Sequence, residues 1–215
     1  MTASLTPMTA DASTDATGAT EPQPTAAQRK ERTRARILDA ALGLFAERGF
    51  HGTAVPLIAE RAQVGAGSIY RHFESKEVLV NEVFRSAKSA LLVCLELGHD
   101  PQAAPRAQFD HLWARLVVYA REQPLSFRFL EMQDHVPYLD EQSQRVELSV
   151  LAPIFVIAQG FQQQGIGSGA PTELLMAMVW GAFVGVMKYE RLGYLVLDDA
   201  RIETARDACW NLVSR

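Results

Sequence analysis

Cysteine is scarce in this 215-residue chain: Cys94 and Cys209 are the only two. They stand far apart and form no CxxC pair. A disulfide framework and a cysteine-held zinc are therefore not expected, and a reducing compartment fits. Both read as small apolar fillers. The five histidines (His51, His72, His99, His111 and His135) are scattered, with no metal-ligand spacing. The GxSxG, HExxH and phosphate-cradling GxxxxGK motifs are missing. The glycine-rich run from Gly165 to Gly169 follows no strand pattern, so it is a flexible connection and not a nucleotide loop. Long apolar runs are missing too. The longest, Leu174 to Met187, is about four helical turns between Glu173 and Lys188, too short to cross a bilayer. Residues 1–28 lack the basic start and apolar core of a secretory signal. These absences predict a soluble cytoplasmic protein with no membrane partner, no metal, no cofactor and no enzymatic activity.

What is present is unevenly charged. The net charge is −4, and apolar residues make up 48% of the chain, ordinary for a globular protein with one or two domains. Residues 29–80 hold nine basic residues against six acidic ones, whereas residues 81–215 hold 12 against 16. A basic N-terminal third on an acidic body suits a nucleic-acid reader with a separate second domain. Residues 1–27, rich in Thr, Ala, Ser and Pro, are expected to be a disordered tail.

The rest reads as helix throughout. Ile37, Ala41, Leu44 and Phe45 share one face of a helix that runs from about Ala27 to Arg48 and stops at Gly49. Thr53 is expected to cap a short helix over about 54–62, with Pro56 at its third position. Gln63-Val64-Gly65 is a turn, residues 66–72 form another helix, and Ser75 caps a long fourth one from Lys76. Further helices are expected over about 106–121, 125–134, 141–164, 172–192 and 199–213. The fold class is all-α. Residues 28–75 form a helix-turn-helix head, and residues 76–215 form a ligand-binding and dimerisation body.

The segment from Thr53 to Lys76 carries the chemistry. Its second helix is short and polar, with Ser68, Tyr70, Arg71 and His72 at exposed positions, as in a helix-turn-helix that enters the DNA major groove. Gly65, Ala66 and Gly67 bring little side chain, so the helix start can approach DNA closely and offer backbone N–H groups. Ser68 and Arg71 are the candidates for base reading, since Arg pairs with guanine through two bonds. The motif elements are Gly49-Phe50, Thr53, Ile58-Ala59, Ala62, Val64, Gly67-Ser68-Ile69-Tyr70, His72-Phe73 and Ser75-Lys76-Glu77. They resemble the DNA-binding domain of the tetracycline-repressor (TetR) family over about a quarter of the chain. Gln63 replaces a common turn glycine, and Gly65 replaces a common Ser cap. The resemblance implies contacts from Thr53, and places Tyr70, His72 and Lys76 near the phosphate backbone. Arg29, Lys30, Arg32 and Arg34 can add backbone or minor-groove contacts, or simply be a solvated helix start.

Two further groups belong to the body. Ala177, Gly181 and Gly185 recur every four residues, and glycine inside a helix is costly unless something packs closely on it. With Ala205 and Cys209 of the last helix they are expected to build a four-helix homodimer interface, as TetR-like regulators do; packing within one chain is the other reading. The bulky residues Trp113, Tyr119, Phe127, Met132, Phe155, Met176, Trp180 and Phe183 lie where the family holds its ligand cavity. Arg128, Glu131, Asp134, His135 and Tyr138 are candidates for polar selectivity. The expected function is a repressor that binds a palindromic operator in double-stranded DNA as a dimer and is released by a small apolar or aromatic effector. The alternative is a helical ligand-binding or interaction protein whose head does not read DNA.

Overall fold

The computed structural model describes residues 25–131, 134–167 and 169–214. The expected tail therefore lies outside the described residues, except at its end. There Thr25 forms a capping box with Gln28 and starts α1, Ala26–Arg48. The other helices are α2 Val55–Arg61, α3 Ala66–His72, α4 Lys76–Glu96, α5 Pro105–Glu122, α6 Pro124–Glu131, α7 Glu141–Gln163, α8 Thr172–Arg191 and α9 Asp199–Val213. A single 3-10 turn, Val136–Tyr138, lies between α6 and α7. No strand occurs among the described residues.

Side-chain caps mark three further starts. Ser75 Oγ accepts from Val78 N at the start of α4, Asp140 from Ser143 N at α7, and Asp198 from Arg201 N at α9. Thr53 does not cap α2; Ala54 holds that position, and Pro56 is the second helical residue. The Thr53 side chain turns inward instead. Its hydroxyl donates to the carbonyls of Leu44 and Gly49 and fixes the exit from α1.

Two cores organise the chain. The first joins Ile37, Leu44 and Phe45 of α1 to Ile58, Ile69, Phe73, the inner face of α4, Phe129 of α6 and Val150 of α7. The packing thus runs across the expected boundary at residue 75: α6 lies on α1, and α4 serves head and body alike. The second core gathers Phe109, Trp113, Phe161, Phe183, Met187, Cys209 and Val213 from α5, α7, α8 and α9. By length and composition α7 would also serve to cross a membrane, which the reading of Leu174–Met187 as the longest apolar run overlooked. Here α7 packs on α4 and α8 and walls a cavity between them.

Candidate nucleic-acid interface and body cavity

The turn before α3 is held by two features. Gln63 adopts φ 53°, the left-handed region that glycine fills without strain. Arg36 of α1 reaches across and donates to the carbonyls of Ala62, at 2.5 Å, and Gln63, at 3.0 Å. Sequence reading missed Arg36; its signal was a charged residue one step before the apolar face of α1.

α3 buries Ile69 and exposes the residues expected to read DNA. Tyr70 is 57% exposed and so is not a core aromatic. Arg71 and Ser68 are both on the outward side, and Arg71 donates to Ser68 Oγ at 2.9 Å. His72 is half-buried. Burial first, then the positive charges of Lys30, Arg34 and Arg71, hold its imidazole below the usual range. Basic residues from α1 and α3 therefore share one face. Gly65 and Gly67 have no positive φ, and a Cβ at either would meet nothing within 4 Å. The fold itself does not demand their smallness.

Two of the expected contacts are changed. Thr53 is 1% exposed with its hydroxyl committed to the protein, so its side chain offers DNA nothing. Lys76 donates to the carbonyls of Phe50, at 2.9 Å, and Thr53, at 3.1 Å, and lies 4.1 Å from the Phe50 ring centroid. Two of its three N–H groups thus lock the loop before α2.

The body contains a cavity of about 780 Å³ between α4, α5, α7 and α8, within the usual range for small-molecule sites. Trp113, Phe155, Met176 and Trp180 line it. Met132 lies outside the described residues. Tyr119, Phe127 and Phe183 do not line it. Tyr119 is buried in the first core, where its hydroxyl donates to Ala87 O. Phe183 sits one layer behind the wall, its ring against Trp113, Phe127 and Trp180. Of the expected polar residues only Glu131 reaches the cavity. His135 is buried in a cluster with Phe129 and Tyr138, away from it. Three charged residues were missed: Lys88 and Glu147, which pair at 2.8 Å in the wall, and Glu173. Lys88 interrupts an otherwise apolar stripe, Phe84-Lys88-Leu91 on α4, and that interruption was a readable signal, whereas Glu147 follows the polar Ser143 on α7 and gave none.

Comparison with known proteins decides what this architecture is. Residues 37–83 match the family model described as "Bacterial regulatory proteins, tetR family", and residues 89–215 match "Tetracyclin repressor-like, C-terminal domain". The chain belongs to the TetR family. The HTH-type transcriptional repressor KstR2 of Mycobacterium tuberculosis H37Rv is 31% identical over 123 residues, 52% of this chain and 60% of that protein. KstR2 of Rhodococcus jostii RHA1 is 48% identical over 56 residues, 26% of this chain and 28% of that protein. The match therefore spans less than two thirds of either curated relative. A TetR family transcription regulator from Marinobacter aquaeolei VT8 shares the fold, with a TM-score of 0.77 at 23% identity, over 87% of this chain and 98% of that one.

The face that the TetR resemblance reserves for dimer contact is split in this chain. Ala177 and Gly181 are exposed, and a Cβ on Gly181 or Gly185 would meet nothing within 4 Å. Packing within one chain thus does not explain the glycines. Leu174, Met178 and Tyr189 of α8 are exposed beside them, as are Leu192 just after it and Leu212 on α9. Ala205 and Cys209, by contrast, face the second core. They stand four residues apart, on the side of α9 that packs within the protomer.

Proposed function

We propose that this chain is a homodimeric, effector-responsive transcriptional repressor that binds a palindromic operator. The observation that carries the reading is the exposed α3 face. Ser68, Tyr70 and Arg71 point away from the core, His72 lies among Lys30, Arg34 and Arg71, and the α3 start is stripped of side chain for no internal reason. Arg71 would read bases, with Ser68 presenting it, while Tyr70, His72 and the first N–H groups of α3 would hold phosphates. In a dimer joined through α8 and the outer side of α9, two such helices would enter successive major grooves about 34–36 Å apart.

The cavity has a physical route to the head. Arg34 of α1 pairs with Glu82 of α4 at 2.7 Å, Glu82 with Arg85 at 3.0 Å, and Arg85 with Asp140, the cap of α7, at 2.9 Å. Asn81 adds neutral links, donating to Tyr138 O and accepting from Asp140 N. A guest that moves α7 against α4 would strain this chain and shift the head spacing. It need only prefer the released arrangement by about 1–3 kcal/mol to act as an effector.

The test is fluorescence anisotropy with the DNA upstream of the protein's own gene, at two salt concentrations. Specific binding that weakens steeply with salt supports the reading. Binding no tighter than to random duplex would favour a helical ligand-binding protein whose head does not read DNA.

A further inference from the structure

The cavity wall is apolar almost everywhere, and its charges are unequal in sign. Lys88 of α4 is only 7% exposed, and its Nζ lies 2.8 Å from Glu147 Oε2 of α7. Those two charges satisfy each other. Glu131, at the end of α6, is the third. Trp180 donates its indole N–H to Glu131 Oε2 at 2.9 Å. Glu131 forms no ion pair among the described residues, and its Oε1 makes no hydrogen bond there. Lys88 is near enough to act on it but is already paired with Glu147. The wall thus holds two half-buried carboxylates against one buried ammonium, with Glu173 adding a further acid at the rim.

A buried carboxylate with no counter-ion is relieved in one of two ways: it takes a proton, or it takes a cation. We infer that the cavity takes an apolar cation, a guest with an aromatic or aliphatic body and one protonated amine that donates to Glu131 Oε1. The inference rests on reading the cavity as the effector site. The guest's body would lie against Trp113, Phe155 and Trp180, whose ring faces also favour positive charge. An anionic guest fits badly, because the one ammonium is taken and two carboxylates would repel it. A neutral guest would accept a hydrogen bond from protonated Glu131, and its affinity would run the opposite way with pH.

The groups that face Glu131 are Lys88 from α4, Tyr119 from α5, Glu147 from α7 and Trp180 from α8. Burial raises Glu131 to about 7 and keeps the Tyr119 phenol neutral. Raising the pH from 6 to 8 empties Glu131 of its proton and should strengthen a cation.

Three probes of one size separate these cases: biphenylmethylammonium, biphenylmethanol and biphenylcarboxylate. Each is titrated into the full-length protein by calorimetry at pH 6 and pH 8. We expect the ammonium to bind at least tenfold tighter than the alcohol at pH 8 and severalfold tighter at pH 8 than at pH 6. In Glu131→Gln, which keeps an acceptor for Trp180, both differences should vanish while the alcohol still binds. The alcohol or carboxylate binding tightest overturns the inference, as does an ammonium preference that survives in Glu131→Gln. The pH comparison on the unmodified protein decides the matter even if the variant does not fold. Failure of all three probes to bind overturns both the inference and the effector reading. Ammonium binding that leaves operator affinity unchanged overturns only the effector reading and leaves the ligand class standing.

Discussion

Tyr138 stacks on Phe50, with ring centroids 4.5 Å apart, so a residue of the body rests on the α1–α2 loop of the helix-turn-helix head. The Tyr138 hydroxyl also meets His135 Nδ1 at 2.7 Å, and His135 Nε2 meets Phe129 O at 2.8 Å. A carbonyl only accepts, so Nε2 donates and, in the neutral ring, Nδ1 accepts from Tyr138. Burial, the largest influence on His135, favours that neutral form. Tyr138→Phe should keep the stack and lose the hydroxyl bond, a loss of about 1 kcal/mol by urea denaturation. A cycle with Tyr138→Ala and Phe50→Ala should return a coupling of about 0.5–1.5 kcal/mol. Additive effects would show that the stack carries nothing between head and body.

Arg71→Ala should weaken operator binding by about 1–3 kcal/mol and relax base preference at one position of each half-site. Ser68→Ala should weaken it less, because Ser68 presents Arg71 through their 2.9 Å bond. Anisotropy titrations on operator variants check both. Unchanged affinity in Arg71→Ala would remove Arg71 from the reading face.

Gln63 holds a left-handed backbone, so β-branched substitution there should be costly. Gln63→Val should destabilise the protein by about 1–2 kcal/mol, and Gln63→Gly should be neutral or mildly stabilising, since relief of strain is offset by unfolded-chain entropy. Thermal melts of the three proteins give the order. A Val variant as stable as the parent would mean that the turn adopts another conformation.

Most of the helices were legible because caps and breakers punctuate them: Ser75, Asp140 and Asp198 at starts, Gly49 at an end. The outward face of α3 was legible because α3 has one buried residue, Ile69, and small or polar residues elsewhere. What the sequence left open is which side of a stripe meets which neighbour. Cys209 and Phe183 are apolar residues at helical spacing whether they face a partner, a cavity or a core, and only the packing of α5 against α8 and α9 assigns them. Thr53 was misread because a capping hydroxyl and a buried one look alike until the exit of α1 is placed beside it.

Glu131 gives a pH prediction with a definite sign. Its folded pKa, raised to about 7, stands above the unfolded value of about 4.3. Its protonated form is therefore favoured in the fold. That contribution is full below about pH 4, fades as pH rises, and is lost through pH 7. Glu131→Gln removes the buried charge, so it should stabilise the empty protein most at pH 8, by up to about 3 kcal/mol, and hardly at all at pH 4. His135 works the other way. Its depressed pKa favours the fold above its unfolded value of about 6.5 and weakens it on acidification. Denaturation curves of parent and Glu131→Gln at both pH values separate the two. A stability difference that does not change with pH would show that Glu131 is not held protonated by burial.

The glycines of α8 give the sharpest test of assembly. Within one chain a side chain on Gly181 or Gly185 meets open space, so bulk there should not disturb the protomer. Replacing a helical glycine should even favour the helix by about 0.5–1 kcal/mol. Against a second copy packed on the same stripe, the same bulk would hold the helices apart. Gly181→Leu should therefore convert a dimer to a folded monomer, seen by sedimentation velocity with unchanged helical circular dichroism. Operator affinity should collapse with it, since two half-sites would no longer be read together. A Gly181→Leu protein that remains a dimer would place the interface away from this stripe. In that case the exposed Met178 and Tyr189 on the same helix would need another partner.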